Sequence, residues 1–149
     1  MAIKTIVVKG EGIRFEALAN AGITPGHLVE IMSTGKMRVH ATAGGNAEKA
    51  FAVEDDIQGN NIDHAYSADD LVQYEIFRPG DVVLAMLANG QNVAIGDKLE
   101  SSGTGTLTKY AADSQDPYED TIVGVAMEAV NMSDSSLADP SGRIKVRIV

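Results

Sequence analysis

Residues 77–110 read FRPGDVVLAMLANGQNVAIGDKLESSGTGTLTKY: short apolar runs broken by glycine-centred turns, none long enough for a helix of three turns. Residues 82–87 (VVLAML) have the composition of a buried strand, ended by a turn over 88–92. Two more turns follow, at Gly96-Asp97 and at 101–105 (SSGTG), and residues 106–110 then alternate polar and apolar as a half-exposed strand does. Turns spaced roughly eight to twelve residues apart restrict a chain to a small β-barrel or sandwich.

The rest of the chain repeats this grammar. Residues 3–9 (IKTIVVK) have strand composition and are closed by Gly10-Glu11-Gly12. Residues 13–21 (IRFEALANA) fit either one or two helical turns or an extended crossing. After a Thr24-Pro25-Gly26 turn, residues 27–32 and 37–42 form a predicted β-hairpin around Gly35. Further strands are expected at 49–54, 71–77, 121–130 and 143–149. Gly124 marks a bulge or a close backbone approach, and Ile144, Val146 and Ile148 face opposite to Arg143, Lys145 and Arg147. Two acidic loops, 55–70 and 111–120, are the longer irregular segments; long ordered loops are frequently functional. The fold class read here is all-β: a small antiparallel β-barrel, β-tulip-like or sandwich domain over residues 13–149, with little helix and an extended amino-terminal strand or arm over 1–12.

A weak repeat runs through this pattern. Pro25-Gly26-His27-Leu28 and Ile95-Gly96-Asp97-Lys98 each precede a second glycine, Gly35 and Gly105, and each hairpin leads to a strand ending Ala-Val-Glu (52–54) or Ala-Met-Glu (126–128). A partial third copy opens at Pro79-Gly80-Asp81. The echo fits a duplicated hairpin, and equally an all-β chain reusing Gly-Asp turns.

Composition narrows function. The 149 residues suit one domain, able to bury roughly two-thirds of its unfolded surface. Hydrophobic residues are 44 % but aromatics only 5 %, so the core is aliphatic. Without cysteine there is no disulfide, thiolate chemistry or Cys-ligated zinc. A net charge of −9 argues against nucleic acid or an anionic membrane as partner. No apolar run approaches the roughly 18 residues of a membrane span, and the amino terminus lacks the pattern of a signal peptide. A soluble protein made in the cytosol is expected.

Catalytic patterns are not found in the sequence. His27, His40 and His64 lack the spacing of a local metal pair, no Ser sits in a G-x-S-x-G elbow, and no phosphate loop opens a helix. Asp55, Asp56, Asp63, Asp69 and Asp70 lack the alternation of a calcium loop and read as a solvated acidic face. Arg78, with Tyr74 and Phe77 beside it, is a candidate for a subunit interface. No catalytic residue, cofactor or metal is predicted.

Residues 22–59 and 78–110, with their Pro-Gly-x-Leu-Val, glycine-turn and Ala-x-Gly-Asp-x-Leu patterns, resemble head-decoration (capsid cement) proteins of tailed phages and prophages. The resemblance implies a β-rich fold and a homotrimer, bound to the major capsid protein at local threefold sites on the outer capsid. There it would stabilise the shell against internal DNA pressure, the chain having been synthesised in the host bacterial cytoplasm. Ile3, Lys4, Ile6, Val8 and Lys9 are the candidate capsid-binding residues: Ile3, Ile6 and Val8, with Val7 opposite, make a strand of high β-propensity that the two glycines uncouple from the body. The competing reading places this strand at the edge of the protein's own sheet. The rival functions are a trimeric β-rich enzyme using the acidic loop, Arg78 and His64, and a carbohydrate- or ligand-binding module for which Tyr66, Tyr74, Tyr110 and Tyr118 are the available rings.

Overall fold

The structure is a computed structural model that describes residues 5–111, 121–133 and 142–149. Thirteen strands account for nearly all its regular structure. In chain order they are β1 (Val7–Lys9), β2 (Ile13–Leu18), β3 (Val29–Ile31), β4 (Met37–Val39), β5 (Ala50–Ala52), β6 (Leu71–Ile76), β7 (Val82–Met86), β8 (Asn92–Val93), β9 (Lys98–Ser101), β10 (Leu107–Lys109), β11 (Ile122–Ala126), β12 (Val130–Asn131) and β13 (Arg143–Ile148). A 3-10 turn at Asp56–Gln58, capped by the Asp55 carboxylate, sits in the acidic loop. Among the described residues no helix is long and apolar enough to cross a membrane, and no sheet closes into a barrel. The all-β class holds, in its sandwich-like form.

Every strand pairing within the sheets is antiparallel. A six-stranded sheet runs β1-β7-β13-β11-β9-β10, a three-stranded one β2-β6-β5, and β3-β4 and β8-β12 are two-stranded. The 27–42 hairpin and the strands at 71–77, 82–87 and 143–149 stand where the sequence placed them, and residues 13–18 resolve as strand rather than helix. Residues 121–130 divide into β11 and β12. Gly124 does both things expected of it. The β11–β9 register shifts between Ile122 and Gly124, and a Cβ there would lie 2.3 Å from Val146 Cγ1 and 2.7 Å from the Arg147 carbonyl oxygen.

The repeat is structural and far larger than a hairpin. β2-β6-β5, continued by the Leu28–Phe51 bridge to β3-β4, has the same order and direction as β7-β13-β11-β9-β10. Parallel single-residue bridges bring first and last strands together in both units, Ala19 to Met37 and Leu87 to Leu107. The equivalence reaches single hydrogen bonds. Gly26 N–H donates to the Ala52 carbonyl as Gly96 N–H does to that of Ala126, and Ala52 N–H to His27 as Ala126 N–H to Asp97. Ala19 N–H donates to Asp70 as Leu87 N–H does to Gly142. The turns entering the hairpins also match: Thr24 N–H donates to His27 Nδ1 at 3.0 Å, and Ala94 N–H to Asp97 Oδ2 at 2.9 Å. Ten of the thirteen strands are therefore two copies of one five-stranded unit, with β1, β8 and β12 outside it.

Strand alternation locks the copies together. β5 is buried on both faces. Ala50 and Ala52 fill the first unit with Val29, Met37, Val72 and Tyr74. Phe51, on the opposite face, enters a larger cluster with Leu28, Val53, Phe77 and the second unit's Val83, Leu99, Leu107, Ile144 and Ile148. Arg143 faces away from Ile144 as the alternation requires, yet it is buried, because the Pro25 and Ile62 segments cover it. Its guanidinium donates to both of those carbonyls and to Asp63 at 3.0 Å. A buried guanidinium requires such partners, and it bolts the second unit to the loops of the first.

Candidate functional site

Duplication makes the strand edges comparable, and they are not treated alike. The outer edge of β7 is covered by β1, with Val7 opposite Val83, Lys9 opposite Val82, and Leu84 N–H donating to the Ile6 carbonyl. Val7–Lys9 is thus an edge strand of the protein's own sheet. Ile6 lies wholly inside the core and its N–H donates to the Glu54 carboxylate at 3.1 Å. Val8 does not share Ile6's face: the register shifts between Val7 and Lys9, Val7 packs against the core, and Val8 and Lys9 are exposed. Ile3 and Lys4 lie outside the described residues.

The corresponding edge of the first unit, β2, is open. Ala19 N–H points to β6 and Asn20 N–H to β4, so the backbone groups of Arg14 and Glu16 point outward. Among the described residues no strand pairs with them. Ile13, Phe15 and Leu18 are each 44–60 % exposed. Phe15 stacks on Tyr74 across the ladder, ring centroids 5.8 Å apart, and its other face is uncovered. Phe15 occupies the place that Val83, fully buried, holds in the second unit.

Of the three interface candidates, Tyr74 and Phe77 are both buried within the subunit, Phe77 against Phe51 in the core. Arg78 is exposed, its Nη2 donating to the Glu11 carbonyl at 3.0 Å and its N–H to Asp81 at 2.9 Å.

One constellation escaped the sequence reading. His40 Nδ1 lies 2.6 Å from Ser101 Oγ, and its Nε2 lies 3.0 Å from the Asn46 carbonyl and 3.8 Å from Glu30. The residue types match a nucleophile, base and orienting acid, but Ser101 and His40 are 1 % and 2 % exposed, so no substrate reaches the hydroxyl. With its hydrogen on Nε2 the imidazole donates to Asn46 and accepts from Ser101, whose Oγ accepts from Gly103 N–H. That network is complete and structural, tying β4 to β9. Only proximity in the fold reveals it.

A cleft of about 230 Å³ lies beside the acidic loop, lined among others by Asp55, His64, Tyr66 and Asp70. The Tyr66 hydroxyl is committed to the Val53 carbonyl at 2.7 Å, and burial pushes its pKa up to about 12, so it is no proton acceptor at neutral pH. Tyr66 and Tyr74 are too buried to offer sugar-stacking faces, and Tyr118 lies outside the described residues. No group of three or more His, Cys, Asp or Glu among the described residues is placed to hold a metal ion.

These features define a duplicated all-β protein whose conspicuous surface elements are strand edges. No family model and no curated protein sequence matches the chain. Among solved structures it is similar in fold to the head fiber gp8.5 N base of bacteriophage phi29, with a TM-score of 0.58 at 14 % identity, over 93 % of this chain and 95 % of that one.

Proposed function

We propose that this chain is a structural protein of a tailed-phage virion, held on the outside of the head by contact with the major capsid protein and bracing the shell against packaged DNA. The observation that carries the reading is the likeness to a phage head-fiber base over nearly the full length of both chains. An acidic protein of net charge −9 on that surface would also repel rather than trap nucleic acid.

Contact through the amino-terminal edge belongs to the same proposal. Val8 and Lys9, exposed on β1, present a strand whose second side a capsid strand can join; Ile3 and Lys4 precede it in the sequence. Many such contacts add up over a particle, because neighbouring copies raise one another's effective concentration. Of the ways copies associate, the trimer implied by the resemblance competes with a twofold pairing through β2.

Co-sedimentation of the purified protein with heads lacking it tests the reading. Saturable binding is expected, and decorated heads should release DNA at a higher temperature than bare ones. Val8→Asp with Lys9→Glu should weaken binding by about tenfold, the loss of one hydrophobic and one charged contact, without altering the fold. Unchanged binding would exclude the β1 edge as the contact; absence of any binding would exclude the function.

A further inference from the structure

We propose that β2 is a self-association edge: it pairs antiparallel with β2 of a second copy about a twofold axis through Phe15, joining the two three-stranded sheets into one of six strands. Three observations converge on it.

The first is the duplication. The edge of β7 equivalent to that of β2 carries a strand, β1, whose Ile6 carbonyl accepts from Leu84 N–H. Glu16 stands where Leu84 stands, and among the described residues no strand accepts from its outward N–H. One unit therefore shows what the other unit's edge accepts.

The second is the absence of blunting. Unpaired edges are usually protected by bulges, charged side chains (lysine above all), prolines or short length; of these β2 has only Arg14 and Glu16, of opposite sign. β1 has a register shift and ends on Lys9-Gly10. β2 is six residues long, pairs with β6 without irregularity, and contains no lysine, proline or glycine. Its apolar residues Ile13 and Phe15 lie on the face whose continuation, Ala17, packs in the first unit's core.

The third selects the occupant. An antiparallel pair must set outward-pointing residues against outward-pointing ones, so a twofold axis falls on a residue and not between two. Centred on Arg14 it opposes two arginines, and centred on Glu16 two glutamates, both repulsive. Centred on Phe15 it places Arg14 opposite the partner's Glu16, and Glu16 opposite the partner's Arg14, as two hydrogen-bonded pairs. Phe15 then meets the partner's Phe15 at the close spacing of a non-hydrogen-bonded pair, roughly 4.5 Å between Cα atoms, which extends the Tyr74–Phe15 stack across the axis. On the same face Ile13 opposes the partner's Ala17. Arg14 keeps its bonds to the Glu54 carbonyl and Asp56, and Glu16 its bond from Gln73, since a guanidinium has five donors and a carboxylate about four acceptor sites.

The test is the mass of the full chain in solution, by sedimentation equilibrium across micromolar concentrations. A dimer is expected. Arg14→Glu sets like charges opposite each other at both pairs and should weaken it at least about tenfold, as should Glu16→Arg, which leaves Arg14 bonded to Asp56. The double swap, Arg14→Glu with Glu16→Arg, restores both pairs and should restore the dimer, an outcome that a merely structural role of either residue does not give. A monomer throughout, a trimer, or a dimer indifferent to the swap overturns the proposal. No heads enter this measurement, so its failure and that of the virion reading are separate results.

Discussion

His27 and Asp97 do the same work in the two copies of the unit with different chemistry. Each side chain accepts a hydrogen bond from the residue three before it and so closes the turn into a hairpin. Burial, and then the nearby Arg143 charge, hold the His27 pKa below its ordinary value of 6.5. The bond from Ala94 and the contact with Lys109 hold that of Asp97 below 3.8. In each case the unfolded chain binds the proton more tightly than the folded one, so stability rises with pH across the window. For His27 the contribution is complete above about pH 6.5 and is lost as pH falls toward the lower folded value. For Asp97 the loss begins only below about pH 4. His27→Asp should therefore make the urea midpoint less sensitive between pH 7.5 and 5.5, sparing roughly the 1 kcal/mol of one hydrogen bond. An equal slope in both proteins would remove His27 from the account. The sequence shows both residues at the same place in a Gly-turn echo, but not that they are interchangeable caps, because an imidazole and a carboxylate look alike only once both accept an N–H.

At the level of elements, the hairpins and β6, β7 and β13 were legible because β-branched alternation and glycine turns specify them locally. β2 was not, since the nine residues 13–21 satisfy a helical and an extended pattern equally. The extent of the duplication was also hidden. Several equivalent core positions hold different residues, Tyr74 against Val146 and Ala50 against Gly124, and the shared signal survives only in turns and in the Ala-x-Glu strand ends. The last of these pairs makes a prediction. Ala50 fits its strand, whereas a Cβ at Gly124 would meet Val146 and the Arg147 backbone. Gly124→Ala should cost about 1–3 kcal/mol as an overpacked site, read as a lowered urea midpoint. Val146→Ala in the same chain should recover part of it. A neutral Gly124→Ala would mean that β11 and β13 are not held this closely.

For the molecule as a whole, the candidate site was only partly legible. The amino-terminal segment was legible as a strand, but whether it was a free arm or the edge of its own sheet depended on Ile6 reaching a core assembled from residues far along the chain. The unpaired edge at β2 could not be seen before β6 was known to cover one side of it and, among the described residues, no strand the other. Two similar units, one edge capped in cis and the other unpaired among the described residues, leave a strand edge to which another strand can add. The most direct measurement of the central claim is a cryo-electron microscopy reconstruction of virions carrying this protein, compared with virions from which it has been deleted. The account predicts difference density on the outer face of the head, shaped as the two-unit β fold and touching the major capsid protein. Difference density confined to the tail or the interior, or its absence from purified particles, would contradict it.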